Sequence, residues 1–222
     1  MAKKEMQSGY LLKLIQKLAP SMKDVRKHVA AVRKQNPGIT DDELADYIGD
    51  RIVWAFTGQG VALSLPGAIP GLGTVAQAAT EISTVSADIA LMIRNQLYLT
   101  FTLACCYGIS GREVLIQDTL ICMGMWTKTL QITKTGAVKV GSRVLEAQFK
   151  KKVPGKVFQA INKKVGTTIV TKYGTKRGGV AIGKLIPFGV GCLVGGGFNY
   201  LVMKKYKKSA MKHFSLKLRE TA

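Results

Sequence analysis

The stretch that most constrains this fold runs from residue 52 to residue 111 and is almost without charge. Its sixty residues include only three charged side chains, Glu81, Asp88 and Arg94. Apolar surface of that extent is unfavourable in water, so it must be covered by other parts of the protein or by lipid. The rest of the chain is therefore expected to be arranged around this stretch.

The same stretch divides into an interrupted first part and a continuous helix. Two Pro-Gly pairs, at residues 66–67 and 70–71, exclude one unbroken helix in the first part. Residues 74–107 contain neither proline nor glycine, and their apolar side chains fit helical spacing. This pattern predicts a helix of about 50 Å. Gly108 is expected to end it.

The segment before this stretch begins with a well-defined helix start. Thr40 and Glu43 have the spacing of a capping box, and the first turn is acidic. Two basic, amphipathic helices are predicted upstream, in residues 1–39, separated by Pro20 and a potential cap at Ser21. Their apolar faces can lie on a membrane surface or pack on the protein's own bundle, and both alternatives fit the pattern equally well.

The chain after residue 127 is rich in lysine. Helical pieces are predicted near residues 134–151, 153–172 and 176–212, and clustered β-branched residues at 167–173 are the one possible strand. The sequence as a whole predicts an all-α fold, a compact bundle with long apolar central helices. We treat residues 1–39 as an N-terminal pair of helices and residues 40–222 as the main domain.

The net charge of +20 lies on the two flanks of the chain. Residues 1–36 include nine basic and two acidic side chains, and residues 112–222 include 22 basic and four acidic ones. Residues 37–111, by contrast, include two basic and seven acidic side chains. Such an excess indicates a polyanionic partner. A mean hydropathy of +0.13 favours a membrane over nucleic acid. The lysines also lack the interleaved aromatics and motifs of a specific nucleic-acid binder.

The lysine clusters of the C-terminal half are the predicted membrane contacts. Each basic residue near an anionic surface contributes about 1 kcal/mol, so a handful suffices for salt-sensitive recruitment. The lysines that we predict to bind anionic headgroups are Lys150, Lys151, Lys152, Lys163, Lys164, Lys204, Lys205, Lys207 and Lys208. Residues 186–203 are uncharged and are the best single candidate for a bilayer span, but they include five glycines and Asn199. This favours a bundle that binds or partly inserts into a membrane over a multi-span protein.

Three polar residues are the candidates for chemistry. Glu81, Asp88 and Asn95 recur at intervals of seven, which places them on one face of the predicted central helix. Buried carboxylates can act as acid and base, although a structural network explains them more simply. The four cysteines lie in apolar runs and the two histidines are not spaced as metal ligands, so neither a metal nor a cofactor is predicted.

Several landmarks, in this order along the chain, resemble the EcsC-like family. The matching text is DDELADYIGDRI at residues 41–52, LPGAIPGLGT at 65–74, EISTVSADIALMIRNQ at 81–96, Tyr107-Gly108, and IPFGVGCLVGGGFNY at 186–200 followed by Ala210 and Phe214. The resemblance covers roughly residues 40–214. It implies a helical, membrane-associated protein of bacterial type, and it implies no particular reaction.

These observations predict a non-enzymatic helical protein at the inner, cytoplasmic face of a membrane. It would bind anionic lipids, a membrane protein partner, or both, as a scaffold or accessory factor. The cytoplasmic location is expected because the N-terminal sequence does not have the pattern of a secretory signal. The alternative is an enzyme that acts on a lipid or another apolar substrate, with Glu81 and Asp88 in a pocket beside residues 66–73.

Overall fold

The computed structural model describes residues 10–57, 87–132, 138–140, 143–145 and 191–219, together with Val165 and Thr168. These residues form six helices and one small sheet. The helices are α1 (Tyr10–Leu18), α2 (Met22–Gln35), α3 (Asp41–Thr57), α4 (Ala87–Cys106), α5 (Arg112–Trp126) and α6 (Gly191–Arg219). The strands are β1 (Leu130–Ile132), β2 (Val138–Val140) and β3 (Arg143–Leu145). The predicted helical fold is confirmed.

Helix α4 is the centre of the bundle. Each of the other five helices packs against it, and every side chain from Ile93 to Ala104 is buried. The charge-poor sequence of this helix is therefore covered by protein on all sides along that length. Across the helices of the described ranges, none combines the length and the apolarity that a membrane crossing requires.

Helices α1 and α2 use their apolar faces to pack on the bundle. The buried side chains are Leu11, Leu14, Ile15 and Leu18 in α1, and Val25, Val29 and Val32 in α2. Polar contacts hold the same helices in place, since Arg33 donates to the backbone oxygen of Cys106 at 3.0 Å and Arg112 donates to that of Gln16 at 3.1 Å. Of the two alternatives left open by the sequence, the structure shows packing on the protein's own bundle.

The predicted helix boundaries follow from local capping. The Thr40 backbone N–H donates to Glu43 Oε2 at 2.9 Å, and the Glu43 N–H donates to Thr40 Oγ1 at 3.3 Å, which completes the capping box. After α4, Gly108 adopts a φ of 70°, and the Ile109 N–H bonds the Ala104 carbonyl at 2.9 Å. The predicted stop at Gly108 is confirmed, because a left-handed residue at this point favours glycine.

A three-stranded antiparallel sheet follows α5 and was not predicted. Leu130 pairs with Val140 in β2, and Val138 pairs with Leu145 in β3. The prediction of a helix over residues 134–151 is therefore wrong in β2 and β3, where Val138, Lys139 and Val140 alternate as a strand requires. Of the strand candidate at residues 167–173, only Thr168 is described, and it is helical.

Candidate interaction surface

The exposed side of α6 carries a row of lysines. The row consists of Leu201, Lys204, Lys205, Lys208 and Lys212, all exposed, and we call it the basic stripe. At 3.6 residues per turn these positions fall within roughly 100° of the helix circumference. The salt bridges within the described ranges involve none of its four lysines. Four ammonium groups and one exposed leucine therefore face solvent together.

The structure corrects the prediction that Lys207 belongs to this surface. Its side chain is only 8 % exposed, and its Nζ lies 2.7 Å from Oδ1 of both Asp46 and Asp50 on α3. The physical reason is helical phase, because Tyr206 and Lys207 fall on the buried face while their lysine neighbours fall on the exposed one. Lys207 is thus a structural contact between α6 and α3.

Gly49 lies where the Lys207 side chain crosses α3. A Cβ atom added at Gly49 would lie 2.9 Å from Lys207 Cε, closer than real Cβ atoms approach other heavy atoms, so the end of the lysine side chain would have to shift. The lysine stem therefore crosses α3 directly over a glycine. Its ammonium reaches beyond the crossing to the Asp46 backbone oxygen at 3.0 Å as well as to the two carboxylates.

A second polar network is buried between α5 and α6. Asp118 Oδ1 lies 2.8 Å from His213 Nε2, and Lys217 Nζ donates to Asp118 Oδ2 at 2.7 Å. Burial by itself raises the pKa of Asp118, but the hydrogen bond and charge of His213 and the ammonium of Lys217 outweigh it. The pKa of Asp118 is therefore below its usual value, and the carboxylate is ionised at neutral pH.

The other histidine is also held in a hydrogen-bonded pair. His28 Nδ1 lies 2.6 Å from the Tyr98 hydroxyl, between α2 and α4. Burial, and then the nearby charge of Arg51, lower the pKa of His28. Burial raises the pKa of Tyr98 to about 12, against the opposing charge of Arg94. Both groups are thus neutral at neutral pH, and the pair acts as a structural contact.

Of the three residues predicted to carry chemistry, only Asn95 has a described side chain. Asn95 is buried in α4, and Asp88 lies in the first turn of the same helix. The side chain of Asp88, the whole of Glu81, and five of the predicted lysines lie outside the described residues. Those lysines are Lys150, Lys151, Lys152, Lys163 and Lys164. The alternative of a lipid enzyme that uses Glu81 and Asp88 stays a prediction.

Sequence reasoning missed the contacts of Asp118 and Lys207. One signal for Asp118 was available, because an acidic side chain in the apolar run of α5 needs a buried partner. For Lys207 the available signal was the helical phase of the KKYKK run. The partners themselves are 95 and 161 residues away in sequence, for the His213 and Asp46 contacts respectively, and nothing in the local pattern identifies them.

The surface of the bundle is divided by charge. Helix α3 carries five acidic residues and one basic residue, whereas α6 carries seven basic residues and no acidic one. The two helices pack side by side.

Comparison of the whole chain with family models, with curated proteins and with solved structures finds no match. The resemblance to the EcsC-like family stays a prediction.

Proposed function

We propose that this protein binds anionic membrane surfaces through the basic stripe of α6 and acts there as a non-enzymatic scaffold or accessory factor. The observation that carries the proposal is the composition of the stripe. Four exposed lysines follow the exposed Leu201 along one face of α6, and Leu201 is 53 % accessible. A membrane interface offers phosphate groups to the ammonium groups and an apolar layer to the leucine.

The energies expected from this surface are modest but sufficient for reversible binding. Each lysine near an anionic bilayer contributes about 1 kcal/mol, and burial of one leucine side chain contributes roughly 2 kcal/mol. Binding should therefore weaken strongly with salt, because the larger share of it is electrostatic. The location that follows from the proposal is the anionic cytoplasmic leaflet, with a membrane protein as a further partner.

Co-sedimentation with vesicles tests this function. The full-length protein is mixed with phosphatidylcholine vesicles that contain phosphatidylserine, with pure phosphatidylcholine vesicles, and with the anionic vesicles at high salt. We expect the protein in the pellet only in the first case. Recovery in the supernatant with anionic vesicles at low salt would contradict the proposal.

The apolar part of the stripe is tested by Leu201→Ser, with Val114→Ser as its control. Val114 on α5 is another exposed large apolar residue, 45 % accessible, and it lies outside the stripe. Leu201→Ser should weaken vesicle binding roughly tenfold, the effect of losing about 1.4 kcal/mol. Val114→Ser should leave binding unchanged. Equal effects of the two substitutions would show that Leu201 does not contact the membrane.

A further inference from the structure

A groove with aromatic walls lies on the outer face of α3, where it borders α6. Its main apolar feature is Trp54, which is 63 % exposed and rests against Tyr200 with a ring-centroid distance of 4.8 Å. The groove has a volume of about 690 Å³. It is lined by Asp42, Glu43, Asp46, Tyr47, Asp50, Arg51, Trp54 and Met211. A large aromatic side chain left in solvent beside a groove is typical of a protein-binding site.

Four carboxylates and one guanidinium line this groove, so it is negatively charged, although the protein as a whole has a net charge of +20. Asp46 and Asp50 are held in place by Lys207, which contacts Oδ1 of each. Their side chains nevertheless remain 61 % and 56 % exposed. Lys207 thus fixes the carboxylates while leaving most of each accessible. Asp42 is positioned similarly by the Tyr107 hydroxyl, which donates to Oδ1 at 2.8 Å.

The aromatic rings on this side of the bundle already accept cations. The guanidinium carbon of Arg51 lies 5.5 Å from the centre of the Tyr47 ring, and Lys204 Nζ lies 5.3 Å from that of Tyr200. Tryptophan is the strongest aromatic partner for a cation, and Trp54 is the most exposed of the three rings. The groove therefore combines apolar contact, ring faces and fixed carboxylates, which together match arginine and lysine side chains.

We propose that this groove binds an arginine- or lysine-rich peptide segment of a partner protein. Trp54 stacks against a guanidinium or ammonium group and its aliphatic stem. Asp42, Asp46 and Asp50 accept hydrogen bonds from the neighbouring cationic residues of the segment. The inference goes beyond membrane binding and does not rest on it, because the basic stripe and the groove use different side chains.

Fluorescence anisotropy with a synthetic peptide tests the proposal without any membrane. The probe is a short fluorescein-labelled peptide in which arginine and leucine alternate, and its control has glutamate in place of every arginine. We expect saturable binding of the arginine peptide at low salt and none of the glutamate peptide. Trp54→Ala should weaken binding roughly fivefold or more, as the loss of a cation–π contact implies.

Two matched variants keep the test specific. Asp42→Asn and Asp41→Asn remove the same charge from neighbouring residues, but only Asp42 lines the groove. Asp42→Asn should weaken binding, whereas Asp41→Asn and Val114→Ala should not. Equal affinity of Trp54→Ala and the unmodified protein would overturn the proposal. It would also be overturned if light scattering showed a dimer that Trp54→Ala dissociates, because a second copy would then occupy the groove.

Discussion

Lys207 of α6 and Asp50 of α3 form a salt bridge in which the cation is buried and the anion is exposed. The Nζ–Oδ1 distance is 2.7 Å, and the side chains are 8 % and 56 % exposed, respectively. Asp46 provides a second carboxylate at the same distance. Removal of the cation leaves exposed carboxylates, whereas removal of the anions leaves a buried ammonium. The free energy of unfolding should therefore differ between the two kinds of variant.

Removing the buried cation should cost less stability than removing its two anions. Lys207→Met keeps the stem that crosses Gly49 and leaves two exposed carboxylates that water can solvate, so we expect a loss of about 1 kcal/mol. Asp46→Asn combined with Asp50→Asn leaves a buried ammonium with only neutral oxygen partners, and we expect a loss of roughly 3 kcal/mol. The free energy of unfolding in urea measures both. The reverse order would mean that the buried ammonium does not depend on the two carboxylates, and would contradict the prediction.

The Asp118 network should make stability depend on pH in the acidic range. The folded pKa of Asp118 is below its ordinary value of 3.8, so the unfolded state binds more protons in the interval between the two values. Its contribution is fully present above that interval and is lost as the pH falls through the folded pKa. Urea unfolding of the wild type and of Asp118→Asn should therefore differ at neutral pH. The difference should shrink as the pH is lowered below about 4, and a constant difference would contradict this assignment.

His28 should produce a separate pH dependence at higher pH. Its folded pKa is below the ordinary value of 6.5, so it is neutral in the fold at neutral pH and binds protons more readily when unfolded. Its favourable contribution is present above 6.5 and is lost as the pH falls through the lower folded pKa. Replacement by glutamine removes the titration while keeping a polar side chain near Tyr98. Stability of the wild type should decline relative to His28→Gln as the pH falls below about 6.5, and parallel curves would contradict the prediction.

The two side-chain caps should differ in strength. Thr40 Oγ1 donates to Glu43 Oε2 at 2.7 Å and accepts from the Glu43 N–H at 3.3 Å, whereas Ser21 accepts from the Asp24 N–H at 3.5 Å. Thr40→Ala should lower the free energy of unfolding by about 1 kcal/mol. Ser21→Ala serves as the comparison and should cost less. Equal losses in urea unfolding would show that the longer bond is as strong as the capping box.

Local signals in the sequence predicted the helices but not their long-range contacts. Thr40 and Gly108 act through residues within a few positions, so their roles follow from the chain itself. The lysine run around Lys207 predicts a surface position when it is considered as one unit, whereas helical phase places Lys207 on the buried face. The partner of Asp118 is 95 residues distant, and only the packing of α5 on α6 brings His213 to it.

The strands show a different limit of prediction from the sequence. Val138, Lys139 and Val140 alternate, but the run is only three residues long, which is shorter than the four to eight residues over which alternation indicates a strand. The strand is formed by pairing with β1 and β3 rather than by the propensity of the run alone. The burial of α4 was predictable from its composition, because a helix without a polar face has to be enclosed.

The most direct measurement of the central claim is the affinity of two charge-reversal variants for anionic vesicles. One replaces Lys204, Lys205 and Lys208 by glutamate on α6, and the control makes the same change at Lys23, Lys27 and Lys34, which are exposed on α2. Both variants change the net charge equally. We predict that the α6 variant loses binding by roughly a hundredfold or more, as about 1 kcal/mol per lysine implies, while the α2 variant keeps most of it. Equal losses in the two variants would show that net charge alone attracts the membrane, and would contradict a binding surface on α6.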